Sequence, residues 1–354
     1  MRVQSLNVLR IGLIFTIFLC HSNDFLPERI GYYAGTLTGY ALQLFFMISG
    51  FCCILSAFNK PPQKTLSYFW HRVKKVYPMH FIAYLAMLFL ILCGYYQLTT
   101  GQIVLQSFLT LTFLQAWIPN EDLIYSINGV AWFLSALMFC YLLTPLLTHA
   151  LKKCAPYALW GAIALPQIQL AYVAVFNYWG FEGGMCFTNV APPFRFLEYA
   201  TGACLAVVYL RRREQGELLH SSFVQVAALV IYLVLLYGTK NDVGYTRYFV
   251  FANIFLMCSW VFVDGVITNI GSNGIVARMA AEIMPFYLMH SVFIKAVRLF
   301  IYTPVFDERP LFSLGLWICI LLVTIAFSRL YYVVEGAVKK HLAARCQAAP
   351  TRRK

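Results

Sequence analysis

Two side chains near the start of the chain could do acid–base chemistry where charge is costly. Arg10 and His21 lie eleven residues apart in an apolar run over residues 5–22. Ionisable groups within a membrane span are expensive and point to function. Eleven steps at 3.6 residues per turn make almost three whole turns, so both side chains share one helix face. The same spacing separates them by about 16 Å along the axis. Alone, Arg10 fits a charge snorkelling to the interface, and His21 fits a helix-end imidazole touching water. On one face at two heights, they suggest a base and a cation lining a common path. An imidazole is the side chain whose ordinary pKa suits proton transfer near neutral pH.

Other residues widen the set. Ser49-Gly50, inside Phe45-Phe46-Met47-Ile48-Ser49-Gly50-Phe51, permits close helix contact and reads equally as a packing notch. Arg72 and Lys75, three apart and preceded by Tyr68-Phe69-Trp70, are neighbours on one helix face at interfacial depth. That pair suits either phosphate binding or plain anchoring at the inner surface. Glu198, Asp264, His290 and Glu335 are further polar groups in or at the edge of apolar runs, and satisfied core hydrogen bonds account for each. No phosphate-binding glycine loop, zinc-protease helix or nucleophile elbow occurs. Eleven cysteines include no CxxC pair and read as small packing residues rather than metal ligands or disulfides.

The elements that must position these groups are membrane spans. Hydrophobic residues make up 61% of the 354 and charged residues only 12%, well below the quarter usual in soluble domains. Mean hydropathy is +0.69. The expected fold is all-α, a polytopic transmembrane helix bundle of about ten spans. They fall near 5–22, 38–58, 77–98, 129–150, 157–177, 194–211, 220–238, 246–268, 283–302 and 311–334. The apolar stretch 103–118 is shorter and should be re-entrant or lie at the outer surface. Lys and Arg concentrate at 60–75, at Lys152 and Lys153, at Arg211 to Arg213, and from Lys339 onward. Placing all four inside puts both termini in the cytoplasm and the loops 178–193 and 303–309 outside. Residues 1–338 then form one membrane domain and 339–354 a basic cytoplasmic tail. The net charge of +13 reflects topology and attraction to anionic lipid rather than nucleic-acid binding.

Assembled in order, these pieces resemble the family-3 membrane acyltransferases. The Arg10-to-His21 spacing matches a signature of that family, as does the Phe45-to-Phe51 segment. Arg72-Val73-Lys74-Lys75 before Val76-Tyr77-Pro78 is similar to its Arg-x-x-Arg segment, with lysine at the second position. Trp132-Phe133-Leu134-Ser135, followed by Tyr141 and Pro145, looks like its Trp-x-Leu-Ser stretch. Ala136 and Leu137 stand where some members carry an acidic residue. Tyr287-Leu288-Met289-His290 and Glu335 match late family positions.

The resemblance implies an inner-membrane bacterial enzyme that moves an acyl group, usually acetyl, from acyl-CoA to a carbohydrate hydroxyl. Acyl-CoA is then a donor substrate, with no permanently bound cofactor and no metal. In that scheme His21 is the base, or alternatively accepts the acyl group covalently, and Arg10 orients the donor. Arg72 and Lys75 hold its phosphates. Ser49, Gly50, Phe51, Trp132, Ser135, His290 and Glu335 support the site. Competing classes are a proton-coupled transporter or translocator of a lipid-linked sugar, and a non-catalytic assembly partner.

Overall fold

A computed structural model describes residues 3–178, 189–238, 249–301 and 309–348. The described chain is almost wholly helical. In chain order the helices are α1 Ser5–His21, α2 Glu28–Ala57, α3 Thr65–Leu92, α4 Thr100–Leu111, the single turn α5 Glu121–Ile124, and α6 Trp132–Lys153. Then come α7 Ala158–Tyr178, α8 Pro192–Glu214, α9 Ser222–Gly238, α10 Val250–Val261, α11 Val266–Ser272, α12 Gly274–Ala281, α13 Ile283–Phe300 and α14 Pro310–Ala348. Two short strands, β1 Leu219–His220 and β2 Val263–Asp264, pair in parallel.

The exterior is apolar along whole helices. Leu311, Leu322, Leu330 and Val334 of α14, and Phe223, Val230 and Val234 of α9, are exposed. Such stripes are untenable in water and natural against lipid tails. Among the described residues, six helices are long and apolar enough to cross a bilayer, and three more apolar helices, α1, α9 and α10, are shorter.

Several boundaries differ from expectation. Helix α3 begins at Thr65, not 77, so the basic-aromatic segment is continuous with its span and Pro78 sits inside the helix. Helix α2 begins ten residues before the expected 38. The apolar run 246–268 does not form one long helix. Helix α10 stops at Val261 and the chain extends into β2, which takes Asp264 out of any span. Helix α14 runs on past the expected end of the last span at 334, as far as Ala348. Helix α4, with 12 residues, rises only about 18 Å and falls short of a hydrocarbon core of about 30 Å. The expected outer loops 178–193 and 303–309 lie largely outside the described residues.

The core forms where α2 crosses α8. A Cβ at Gly50 would lie 1.9 Å from the carbonyl oxygen of Tyr199, and one at Gly202 would lie 1.9 Å from that of Met47. Each helix thus presents a bare Cα to its partner's backbone, the use of small residues expected between membrane helices.

The bundle has two distinct ends. At one, the Lys152 ammonium donates to the carbonyl of Lys60 at 2.9 Å, Arg211 donates to that of Ala155, and Asn7 donates to that of Gly271. This lysine-rich end gathers the N-terminus, the paired strands and the close of α6. The C-terminus of α1, carrying His21, lies at the other.

Candidate active site

Helix α1 buries Leu6, Leu9, Leu13 and Ile17 and leaves Arg10 and His21 off that apolar face. The Arg10 guanidinium donates to the Cys52 sulfur of α2 at 2.9 Å. His21 is the last residue of the helix and its side chain is exposed. Its ring nevertheless rests 5.2 Å, centroid to centroid, from that of His290 on α13.

His290 is fully buried and stacks on Phe286, with Phe18 and Tyr287 also against it. Its Nδ1 lies 3.3 Å from the Phe286 carbonyl, while its Nε2 has no hydrogen-bond partner among the described residues. A buried polar atom without a partner is uncommon and calls for a reason. A water-accessible imidazole stands here over a buried one.

The backbone beneath His21 is held firmly. Trp317 of α14 donates to the Ser22 hydroxyl at 2.9 Å, and that hydroxyl donates to the Phe18 carbonyl at 2.6 Å. Arg298 of α13 donates to the His21 carbonyl at 3.2 Å and pairs with Asp24 at 2.5 Å. A cation at a helix C-terminus suits the helix dipole and satisfies carbonyls that lack helical partners.

Toward the lysine-rich end, Arg72 donates to the Tyr68 hydroxyl at 2.8 Å. Its guanidinium carbon lies 4.9 Å from the Tyr68 ring centre and 5.2 Å from that of Tyr141, and its Nε is buried without a partner. Arg72 also lies within electrostatic reach of Cys52. Arg10, from α1, reaches the same thiol directly. Lys75, expected beside Arg72, is exposed on the outer side of α3. Three residues turn a helix by about 300°, and the rotation left over carries Lys75 away from the interior. Beside Tyr68 a pocket opens at the lysine-rich end, lined by Lys60, Pro62, Tyr68, Thr148, His149 and Lys152.

The remaining predicted residues are structural in their contacts. Ser49 donates to the Phe45 carbonyl of its own helix, Gly50 seats α8, and Phe51 is fully buried against Tyr209. Ser135 donates to the carbonyl of Phe113 at 2.5 Å and accepts from the Ala116 amide at 3.4 Å. Phe113 holds φ 59°, a left-handed conformation costly for a bulky residue, and Ser135 pins that turn. Trp132 is buried near the site, joined to His290 through Phe133 and Tyr287. Glu335 pairs with Lys339 at 2.6 Å. It lies 18 residues beyond Trp317 on one helix, about 27 Å along the axis from the Ser22 contact, and cannot meet His21.

Three basic residues were not singled out in the sequence. Arg195 is buried, pairs with both oxygens of Glu198 at 2.9 Å, and faces the rings of Phe46 and Trp132. The signal was the i, i+3 spacing of opposite charges in an apolar helix. Lys295 and Arg298 follow His290 on α13; Arg298 donates to the His21 carbonyl, and Lys295 lies within electrostatic reach of His21. Their own three-residue spacing was the available clue. Among the described residues no group of three or more His, Cys, Asp or Glu side chains is placed to hold a metal ion.

Comparison with known proteins adds an independent finding. A family profile described as an acyltransferase domain matches residues 3–333. The chain is 27% identical over 245 residues to the acyltransferase MdmB of Streptomyces mycarofaciens, an alignment covering 64% of this chain and 62% of that one. No solved structure matches significantly.

Proposed function

We propose that this chain, which belongs to the acyltransferase-3 family matched over residues 3–333, is a membrane O-acyltransferase that carries an acetyl group from acetyl-CoA to a hydroxyl of a cell-surface glycan or glycoside. The observation that carries this reading is the alignment of two chemistries in one bundle. The guanidinium groups of Arg10 and Arg72, both within electrostatic reach of Cys52, lie toward the lysine-rich end, and an accessible imidazole, His21, stands about 16 Å further along the Arg10 helix.

The lysine-rich end is cytoplasmic in this account, as the positive-inside rule requires. In this account the helices cross the bacterial inner membrane repeatedly and leave both termini cytoplasmic. The donor's nucleotide then docks at the pocket lined by Lys60, Tyr68 and Lys152, and Arg72 and Arg10 hold its phosphates. An extended pantetheine arm covers the remaining distance, so the thioester arrives at His21.

His21 takes the proton from the acceptor hydroxyl as its oxygen attacks the thioester carbonyl. The tetrahedral oxyanion collapses, the carbon–sulfur bond breaks, and the departing thiolate takes the proton back from the imidazolium. The buried ring of His290 fixes one face of His21 and keeps the base oriented. Arg298, bound to the His21 carbonyl, holds the helix end that carries it.

The test is transfer of labelled acetyl from acetyl-CoA by the purified protein. His21→Ala should lower turnover by about a hundredfold or more, the contribution of a positioned general base, with the helical circular dichroism unchanged. Near-wild-type transfer by that variant would overturn the assignment.

A further inference from the structure

Resting on the acyl-transfer reading above, we propose that the acceptor carries an anionic group, a carboxylate or a phosphate, seated on Lys295 beside His21. Lys295 lies on α13 five residues past His290, about 7.5 Å further toward the His21 end. Its ammonium is 5.3 Å from the Tyr96 ring centre and 5.7 Å from that of Tyr95, and within electrostatic reach of His21.

No carboxylate among the described residues balances the charge on Lys295. Asp24, a carboxylate at this end of the bundle, is engaged by Arg298. A half-buried ammonium gains something from two aromatic faces, but less than an opposite charge would supply. Among the described residues, Asp24 and Arg298 neutralise each other at this corner and the ammonium is left over, so the occupant that completes it is an anion.

The flanking rings say what else that occupant carries. Tyr95 and Tyr96 meet edge to face, 4.6 Å apart and 75° inclined, and Tyr96 is 43% exposed. An open phenol face accepts the apolar side of a pyranose, while the neighbouring ammonium takes an acidic substituent. Gly129 packs on one side of the ammonium, which lies 4.0 Å from where a Cβ would stand. The donor's phosphates are held elsewhere in this account, so the anion at Lys295 belongs to the acceptor.

The experiment uses the purified full-length protein, labelled acetyl-CoA, and three acceptors that share a ring: methyl glucoside, methyl glucuronide and methyl glucoside 6-phosphate. At least one charged acceptor should exceed the neutral one in kcat/KM by about tenfold or more, the size expected of one charge-assisted hydrogen bond, with the difference residing in KM. Lys295→Gln should bring that ratio close to one, and Lys295→Arg should keep most of it, while KM for acetyl-CoA stays constant in both. A ratio near one in the wild type, a ratio that survives Lys295→Gln, or a change confined to KM for acetyl-CoA would each overturn the proposal.

Binding of the same glycosides to His21→Ala, followed as a rise in melting temperature, separates this inference from the catalytic one. A preference for the charged ligand there, with transfer lost, upholds the anion site by itself. Equal or undetectable shifts for all three sink it, even if wild-type transfer is intact.

Discussion

At the level of single residues, the account turns on which side chains face inward together. The spacing of Arg10 and His21 was legible because one helix sets it. The partners of those residues were not, since no period within a helix says which neighbouring helix stands opposite. Arg72 shows the difference. Sequence spacing joined it to Lys75, whereas the fold turns Lys75 outward and brings Arg72 under Tyr68 and Tyr141, toward Arg10. His290 was visible as an odd polar residue, but its contact with His21 was not. The two positions on α3 should therefore separate by kinetics. Arg72→Gln should raise KM for acetyl-CoA by about tenfold or more, the cost of one charge-assisted phosphate contact, and Lys75→Gln should change it much less. Michaelis constants of the two purified variants decide this, and equal effects would argue against the inward guanidinium pair.

At the level of elements, composition located the long apolar helices, and the misjudged boundaries have physical causes. Helix α3 runs back to Thr65 because its charged first turns lie at the surface, where polarity and helicity coexist. Helix α10 is cut short because β2 pairs with β1 and draws the chain into an extended conformation. That pairing joins residues 44 apart and leaves no local pattern. Gly50 was readable as a close-contact residue, but only the crossing of α2 and α8 shows its partner to be the Tyr199 carbonyl. Gly50→Ala places a methyl group against backbone that cannot step aside. It should cost about 3 kcal/mol or more, the upper end of the overpacking range. Gly12→Ala, with nothing within 4 Å of the added carbon, should be neutral or stabilising by up to about 1 kcal/mol from helix propensity. Melting temperatures in detergent should thus fall for the first variant and hold for the second.

At the level of the whole molecule, the bundle is a polarised object. The lysine-rich end bears the pocket beside Tyr68, and the opposite end bears His21 with Lys295, Arg298 and the tyrosine pair. Charge distribution along the sequence anticipated the first end, because loops rich in Lys and Arg stay on one side. It could not anticipate the second, whose basic residues lie within α13 and look like part of a span. The proposed function depends on the two ends acting on different substrates. Exposed Cys154 follows α6 at the lysine-rich end, and exposed Cys93 follows α3 beside the tyrosine pair. Variants keeping one or the other therefore report, through a membrane-impermeant maleimide, which end faces outward in a sealed vesicle.

With orientation known, the decisive measurement is acetyl transfer across such vesicles, acetyl-CoA and glycoside acceptor being supplied on opposite faces. Donor on the Cys154 face and acceptor on the Cys93 face should give acetylated acceptor in the wild type and almost none in His21→Ala. Transfer of equal rate when the two substrates exchange faces, or persisting without the His21 imidazole, would contradict the account.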